Sequence, residues 1–208
     1  MTRTRIKICG ITTVDDARLA VSMGADYIGV IFADSPRRID TERGREIRAA
    51  TAGCSLVGVF RDQSADEVVR IVGDVGIDLV QLHGEESPAF CDDVQKRTGR
   101  PVIKTFANGH IPAARDLAAY ATTSYFLFDL ERGADSSLEE IERVWTAAFN
   151  TRRKGFQVFL AGALDAANVR EAIRRTGVFA VDVCRGVERS PGVKDPDSMQ
   201  QFFAQARS

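Results

Sequence analysis

Eight times within 208 residues a short β-rich run gives way to a longer amphipathic or Ala-rich segment. The runs are RIKIC, DYIGVIF, SLVGVF, DLVQL, PVIKTF, SYFLFD, FQVFLA and FAVDVC. Strands separated by helices cannot pair through tight hairpins; they pair in parallel, with the helices as crossovers. Eight such units match a closed (β/α)8 TIM barrel, small for its class and expected as a single domain over residues 1–208. An open doubly wound sheet is the competing arrangement. It calls for a phosphate fingerprint after the first strand, and CGITTVDD fits neither GxGxxG nor the P-loop pattern. Helices are expected to start near Val14, Thr41, Ser64, Ser87, Pro112, Ser137, Asp165 and Pro196, where Ser, Thr or Asp can cap and Pro suits a first turn. Ala17, Leu19, Ala20 and Met23 form an apolar stripe on the first helix, closed by Gly24.

Composition removes several function classes. The formal net charge is −1, from 28 basic and 29 acidic residues, with no basic stripe for nucleic acid. The start MTRTRIKICG has no long apolar core of a signal peptide, and no apolar run approaches the ~18 residues a membrane span needs. Cys9, Cys54, Cys91 and Cys184 form no CxxC pair, and with two histidines they offer no metal-ligand spacing. The expectation is a cytoplasmic protein with reduced thiols and no metal.

In a barrel of this kind the chemistry sits at the C-terminal strand ends, and alternate strand residues point inward. Lys7 and Cys9 share one face of strand one. Strand four offers Gln81 and His83, strand five Lys104, strand six ends in Asp129, and strand eight carries Asp182 between two valines. If those faces turn inward, Lys7, Cys9, His83, Lys104, Asp129 and Asp182 line the barrel mouth. Unpaired buried polar groups are costly, so these are paired with one another or aimed at a ligand.

Cys9 is either a small buried filler or a thiol presented at a strand end. Lys7 beside it favours a thiolate, and a thiol acidified from about 8.5 serves as a base near neutrality. Asp129 either caps its loop or, in an apolar setting, acts as an acid. LAGAL, with Gly162 and Ala163, and CRGVE, with Arg185 and Gly186, follow strands seven and eight, a frequent phosphate site in this fold. Tight turns explain those glycines equally well. In DSPRRID, Arg37 or Arg38 suits a forked bond to a carboxylate, or lies solvated on a surface loop. Cys54 and Cys91 are read as packing residues; His110 in ANGHIP lies either near the site or, as the more frequent case, exposed on its loop.

The set KICGIT, GADYIGVIF, SPRRI, VGVF, VQLHGEE, the strand ending in Asp129, LAGAL, FAVDV and GVERSPGVKD, in this order over nearly the whole chain, resembles the phosphoribosylanthranilate isomerase family of tryptophan biosynthesis. The resemblance implies a (β/α)8 barrel, no cofactor, and an Amadori rearrangement of a small phosphosugar, N-(5'-phosphoribosyl)anthranilate. Cys9 falls on the family's general base, Asp129 on its general acid, and Arg37 on its anthranilate-carboxylate contact. Lys7, His83, Gly162, Ala163, Asp182, Arg185 and Gly186 are the expected further substrate contacts. The chain departs from the family in LERGADSSLEEIERVW, which holds one glycine and lacks the usual Phe-Asp pair before Trp145. It departs again at Ala163, in place of the second loop glycine, and at CRG, in place of Ser-Ser-Gly or similar. These departures keep two rivals open: a paralogue isomerising another phosphorylated aminosugar, and a catalytically silent metabolite-binding barrel. A monomer and a homodimer are both compatible with the sequence.

Overall fold

The computed structural model describes residues 3–107, 112, 114–120, 122–130 and 136–208. The chain order is β1 (Arg5–Ile8), α1 (Val14–Ser22), β2 (Tyr27–Ile31), α2 (Thr41–Ala50), β3 (Ser55–Phe60), α3 (Ala65–Val75), β4 (Leu79–Leu82), α4 (Pro88–Thr98), β5 (Val102–Phe106), α5 (Ala114–Leu117), β6 (Tyr125–Phe128), α6 (Leu138–Arg153), β7 (Val158–Leu160), α7 (Val169–Thr176), β8 (Ala180–Val183), β9 (Glu188–Ser190), β10 (Val193–Lys194) and α8 (Pro196–Ala206). Strands β1 to β8 pair in parallel with their chain neighbours, and β1 closes on β8. This is the barrel expected from the alternation. His110 and residues 131–135 of the altered segment lie outside the described residues.

Local chemistry sets the helix starts. Thr13, Asp40, Ser64, Ser87 and Ser137 each accept a hydrogen bond from a backbone N–H in the first turn that follows. Such caps satisfy donors that have no intrahelical partner. Ser137 and Glu140 complete a reciprocal capping box. Pro88 and Pro196 occupy first turns, where their missing N–H costs nothing. Two starts differ from expectation. Helix α5 begins at Ala114, two residues after Pro112. Helix α7 begins at Val169 rather than near Asp165, because the Asp165 carboxylate takes the backbone N–H groups of Ala167 (2.8 Å) and Asn168 (3.2 Å) into a separate turn. The short β9–β10 antiparallel pair after β8 was not anticipated either.

The barrel interior is filled by Tyr27, Val57, Leu79, Ile103, Leu127 and Phe159, a compact apolar cluster separate from the larger core between strands and helices. Inward Ile103 fixes the parity of β5 and corrects one expectation: Lys104 points outward, away from the mouth. It lies buried against the α4 side, where its Nζ donates to Glu86 Oε2 at 2.7 Å and to the Gly84 carbonyl at 2.5 Å. Glu86 also accepts from the N–H groups of Asp62 and Gly84. One buried ion pair therefore pins the loop after β4, the segment that carries His83.

Backbone contacts between neighbouring loops shape the mouth. A β-carbon on Gly162 would lie 2.2 Å from the Leu130 nitrogen, and one on Gly186 would lie 2.1 Å from the Leu164 carbonyl oxygen. The loops after β6, β7 and β8 thus touch main chain to main chain, which only glycine permits. Ala163 sits in the left-handed region at φ 53°. The Asn168 amide bonds the Ala163 carbonyl at 2.6 Å and holds the turn.

Two substitutions test this frame. Lys104→Met leaves the Glu86 carboxylate buried without its cation and costs about 3–5 kcal/mol in urea unfolding. Ala163→Gly removes a left-handed cost of roughly 1–2 kcal/mol and adds about 0.5–1 kcal/mol of unfolded-chain freedom. It raises the unfolding free energy by the net gain, on the order of 0.5–1 kcal/mol, and moves the urea midpoint upward accordingly.

Candidate active site

The site is built from the strand ends upward. Lys7 lies just above the apolar fill, fully buried, and its Nζ donates to Asp182 Oδ2 at 2.8 Å across the β1–β8 pair. Burial works against the Lys7 charge, but the carboxylate of Asp182 and the neighbouring Cys9 outweigh it and raise Lys7 above its ordinary range. Lys7 does not line the open cavity; it underlies it. Asp182 does line it, and Asp182 Oδ1 is buried without a hydrogen-bond partner. An orphaned acceptor facing a cavity is placed for a ligand donor.

Cys9 stands one residue beyond β1, above Lys7. The neighbouring Cys184 is the strongest influence favouring its thiolate; burial opposes this, and Lys7 adds to the stabilisation. The net effect brings Cys9 down to about 7. Cys184, with Cys9 beside it and buried, is pushed well up. Room for the thiol comes from Gly29 on β2, where a β-carbon would sit 2.8 Å from Cys9 Sγ. Gly10 makes room for two further side chains. At φ 72° its missing β-carbon leaves room for Arg37 Cδ, 2.7 Å away, and for Cys184 Sγ, 2.8 Å away.

Asp129 follows β6 and is fixed by its N–H to the Phe106 carbonyl at 3.0 Å. His83 Nε2 faces Asp129 Oδ2 at 3.5 Å, while His83 Nδ1 meets Gln81 Nε2 at 3.0 Å. With Nδ1 accepting from Gln81, the ring proton sits on Nε2 and points toward the carboxylate. Arg37, not the exposed Arg38, turns to the cavity. Its Nε and Nη2 fork onto Glu188, at 2.8 and 2.6 Å. Burial works against the Glu188 charge, yet Arg37 and Lys194, the latter at 2.9 Å, hold Glu188 below the usual carboxylate range.

These groups surround a cavity of about 530 Å³ at the C-terminal mouth. Cys9, Arg37, His83, Asp129, Asp182 and the loop residues Gly162, Ala163, Arg185 and Gly186 all line it. Of the expected contacts only Lys7 stays below the surface. Arg61 was missed. It continues the inward parity of Val57 and Val59 one step past β3, and that parity was the signal available. Glu188 was missed too, because its partners Arg37 and Lys194 come from distant or irregular segments. Among the described residues no group of three or more His, Cys, Asp or Glu side chains could hold a metal ion, and no helix is long and apolar enough to cross a membrane.

Comparison with known proteins converges on one family. The family model described as N-(5'-phosphoribosyl)anthranilate (PRA) isomerase matches residues 6–205. The N-(5'-phosphoribosyl)anthranilate isomerase of Citrifermentans bemidjiense is 40% identical over 206 residues, 98% of this chain and 97% of that one. Monomers generated from the dimeric phosphoribosylanthranilate isomerase of Thermotoga maritima are similar in structure, with a TM-score of 0.81 and 34% identity over 98% of each chain. A phosphoribosylanthranilate isomerase solved in complex with reduced 1-(o-carboxyphenylamino)-1-deoxyribulose 5-phosphate has a TM-score of 0.82 and 34% identity, again over 98% of each chain. With a shared barrel, a full-length family match and a thiol facing a carboxylate across one mouth, the chain belongs to the N-(5'-phosphoribosyl)anthranilate isomerase family.

Proposed function

We propose that Cys9 and Asp129 are the base and acid of the Amadori rearrangement of N-(5'-phosphoribosyl)anthranilate to 1-(2-carboxyphenylamino)-1-deoxyribulose 5-phosphate. The observation that carries this reading is the Cys9 thiol, seated over the buried Lys7–Asp182 pair in the same cavity as Asp129; its lowered ionisation accords with it. Asp129 protonates the furanose ring oxygen, and the sugar opens to an iminium at C1'. The Cys9 thiolate removes the C2' proton. The resulting enolamine tautomerises to the C2' ketone. Cys184 and the buried Lys7 charge favour the Cys9 thiolate, and His83 orients Asp129. The Asp182 oxygen without a partner accepts from a sugar hydroxyl. The anthranilate ring lies along Ile31 and Val59, with its carboxylate at Arg37. Arg37 keeps its Glu188 fork and contributes through Nη1. Gly162, Ala163, Arg185 and Gly186 receive the phosphate.

The family match and the product-like compound in the related structure favour this substrate over another phosphorylated aminosugar. A silent barrel has no need of a thiol acidified over a buried cation. Residues 1–208 act as one domain on a small phosphosugar, in the cytoplasm, as a monomer or homodimer; the dimeric Thermotoga maritima relative supports the second state.

Turnover of freshly prepared substrate falls by about 10²-fold or more in Cys9→Ala and in Asp129→Asn, with unchanged circular dichroism. Near-full turnover by either folded variant removes that residue from its role. The pH profile gives a second check. A base must be deprotonated, so kcat/KM falls below about pH 7, where Cys9 gains its proton. Cys184→Ala removes the strongest influence favouring the thiolate, so the acidic limb moves to higher pH. A limb that stays in place separates Cys184 from the ionisation of Cys9.

A further inference from the structure

The proposed base has a second thiol beside it, on the neighbouring strand. Strands β1 and β8 run in register up to Ile8 opposite Val183, so Cys9 and Cys184 are the next opposed pair. The Cys9 N–H donates to the Val183 carbonyl at 2.9 Å and carries the ladder to this point. Paired strands lie about 4.8 Å apart. That falls within the roughly 4.4–6.8 Å between α-carbons that a disulfide spans. Both side chains line the cavity. The near approach of Cys184 Sγ to Gly10 shows the thiol turned toward β1.

We infer that Cys9 and Cys184 form a reversible, peroxide-driven disulfide that takes the active site out of service. The inference extends the reading of Cys9 as base and depends on it for its effect on turnover. The first step is attack of the Cys9 thiolate on a hydroperoxide. A sulfur–oxygen bond forms, the oxygen–oxygen bond breaks, and the departing alkoxide or hydroxide takes up a proton. Cys184 then attacks the Cys9 sulfenic sulfur; the sulfur–sulfur bond forms and water leaves with the Cys184 proton. Two thiols are oxidised by two electrons and one peroxide is reduced, to water and an alcohol or a second water. A dithiol reverses the change.

The surroundings divide the labour between the two sulfurs. Cys9 rests over Lys7, which suits an attacking thiolate. Cys184 has Lys194 Nζ at 3.9 Å and Glu188 Oε1 at 3.7 Å and holds its proton until needed. The other thiols do not compete. Cys54 and Cys91 are buried in the outer layer, which pushes them up to about 12 and about 11. The resolving thiol also protects the site, because a lone sulfenic acid proceeds to sulfinic acid, which a dithiol does not reverse.

The test is hydrogen peroxide added to the reduced full-length protein at neutral pH. Remaining thiols are then blocked with maleimide, peptides are mapped by mass spectrometry, and turnover is followed in parallel. The expected result is a fall from four free thiols to two, a linked pair of peptides carrying Cys9 and Cys184, and loss of turnover that dithiothreitol restores. In Cys184→Ser, measured against its own untreated rate, the loss is no longer restored and Cys9 is found as sulfinate. Four intact thiols in the treated wild type, or sulfinate at Cys9 with no linked peptide, overturns the inference and leaves the role of Cys9 as base to the Cys9→Ala measurement. A linked pair with undiminished turnover overturns the switch, and the assignment of Cys9 as base falls with it.

Discussion

The Lys7–Asp182 ion pair is the interaction on which the mouth of the barrel depends. It bridges the strands at which the cylinder closes, directly under the reactive end. A buried pair is weak evidence for stability, since taking two ions out of water costs about as much as their attraction returns. Its value here lies in what it fixes. It holds a positive charge beneath Cys9, and it leaves one oxygen of Asp182 unpartnered at the cavity wall. A hydrophobic replacement of the pair could pack as well and would do neither. The interior of the barrel is therefore apolar up to the level where charge acquires a task.

Two further ionic clamps lie around this one and act on loops rather than on chemistry. Glu86 gathers Lys104 and the backbone N–H groups of Asp62 and Gly84, and so sets the exit of β4. Glu188 gathers Arg37, Lys194 and the Gly192 N–H, and so ties the loop after β2 to the β9–β10 pair. In each case a buried carboxylate receives donors from separate segments. A loop on its own has little apolar area to bury, and a satisfied buried carboxylate substitutes for it as the ordering element. His83 and Arg37 reach the cavity from segments anchored in this way.

How far the site could be read in the sequence follows from which interactions are local. The alternation of strands and helices is local, and it sufficed for the barrel. Capping is local too, and most helix starts agree. The failures are where a side chain answers to something distant. Lys104 was assigned to the mouth because it is polar in a strand, yet its parity is set by Ile103, and its partner Glu86 arrives from the preceding loop. Asp165 has the look of a cap, but Asn168 reaches back to the Ala163 carbonyl and competes for the same turn. Gly10 gives its space to Arg37 and Cys184, residues remote in the chain that no local pattern announces. Even so, most of the polar residues assigned to the mouth lie there, because inward parity and position at a strand end are both visible in a single sequence.

Among the described residues, the departures from the family pattern at Ala163, Cys184 and Arg185 lie together along the cavity. Ala163 stands where a glycine is usual and keeps the left-handed turn that a glycine would make, held by the Asn168 bracket. The close contacts at Gly162 and Gly186, by contrast, tolerate no side chain and are retained. Among the described residues, then, Ala163 accommodates its side chain at a modest energetic cost, and Arg185 stands exposed at the rim of the cavity it lines. Cys184 is the exception, because it lines the cavity beside Cys9. A hydroxyl there could offer a neighbouring thiolate a hydrogen bond as a thiol can, so support of an ionised Cys9 does not by itself require sulfur. What sulfur adds, and oxygen cannot, is the capacity to form a covalent bond with its neighbour.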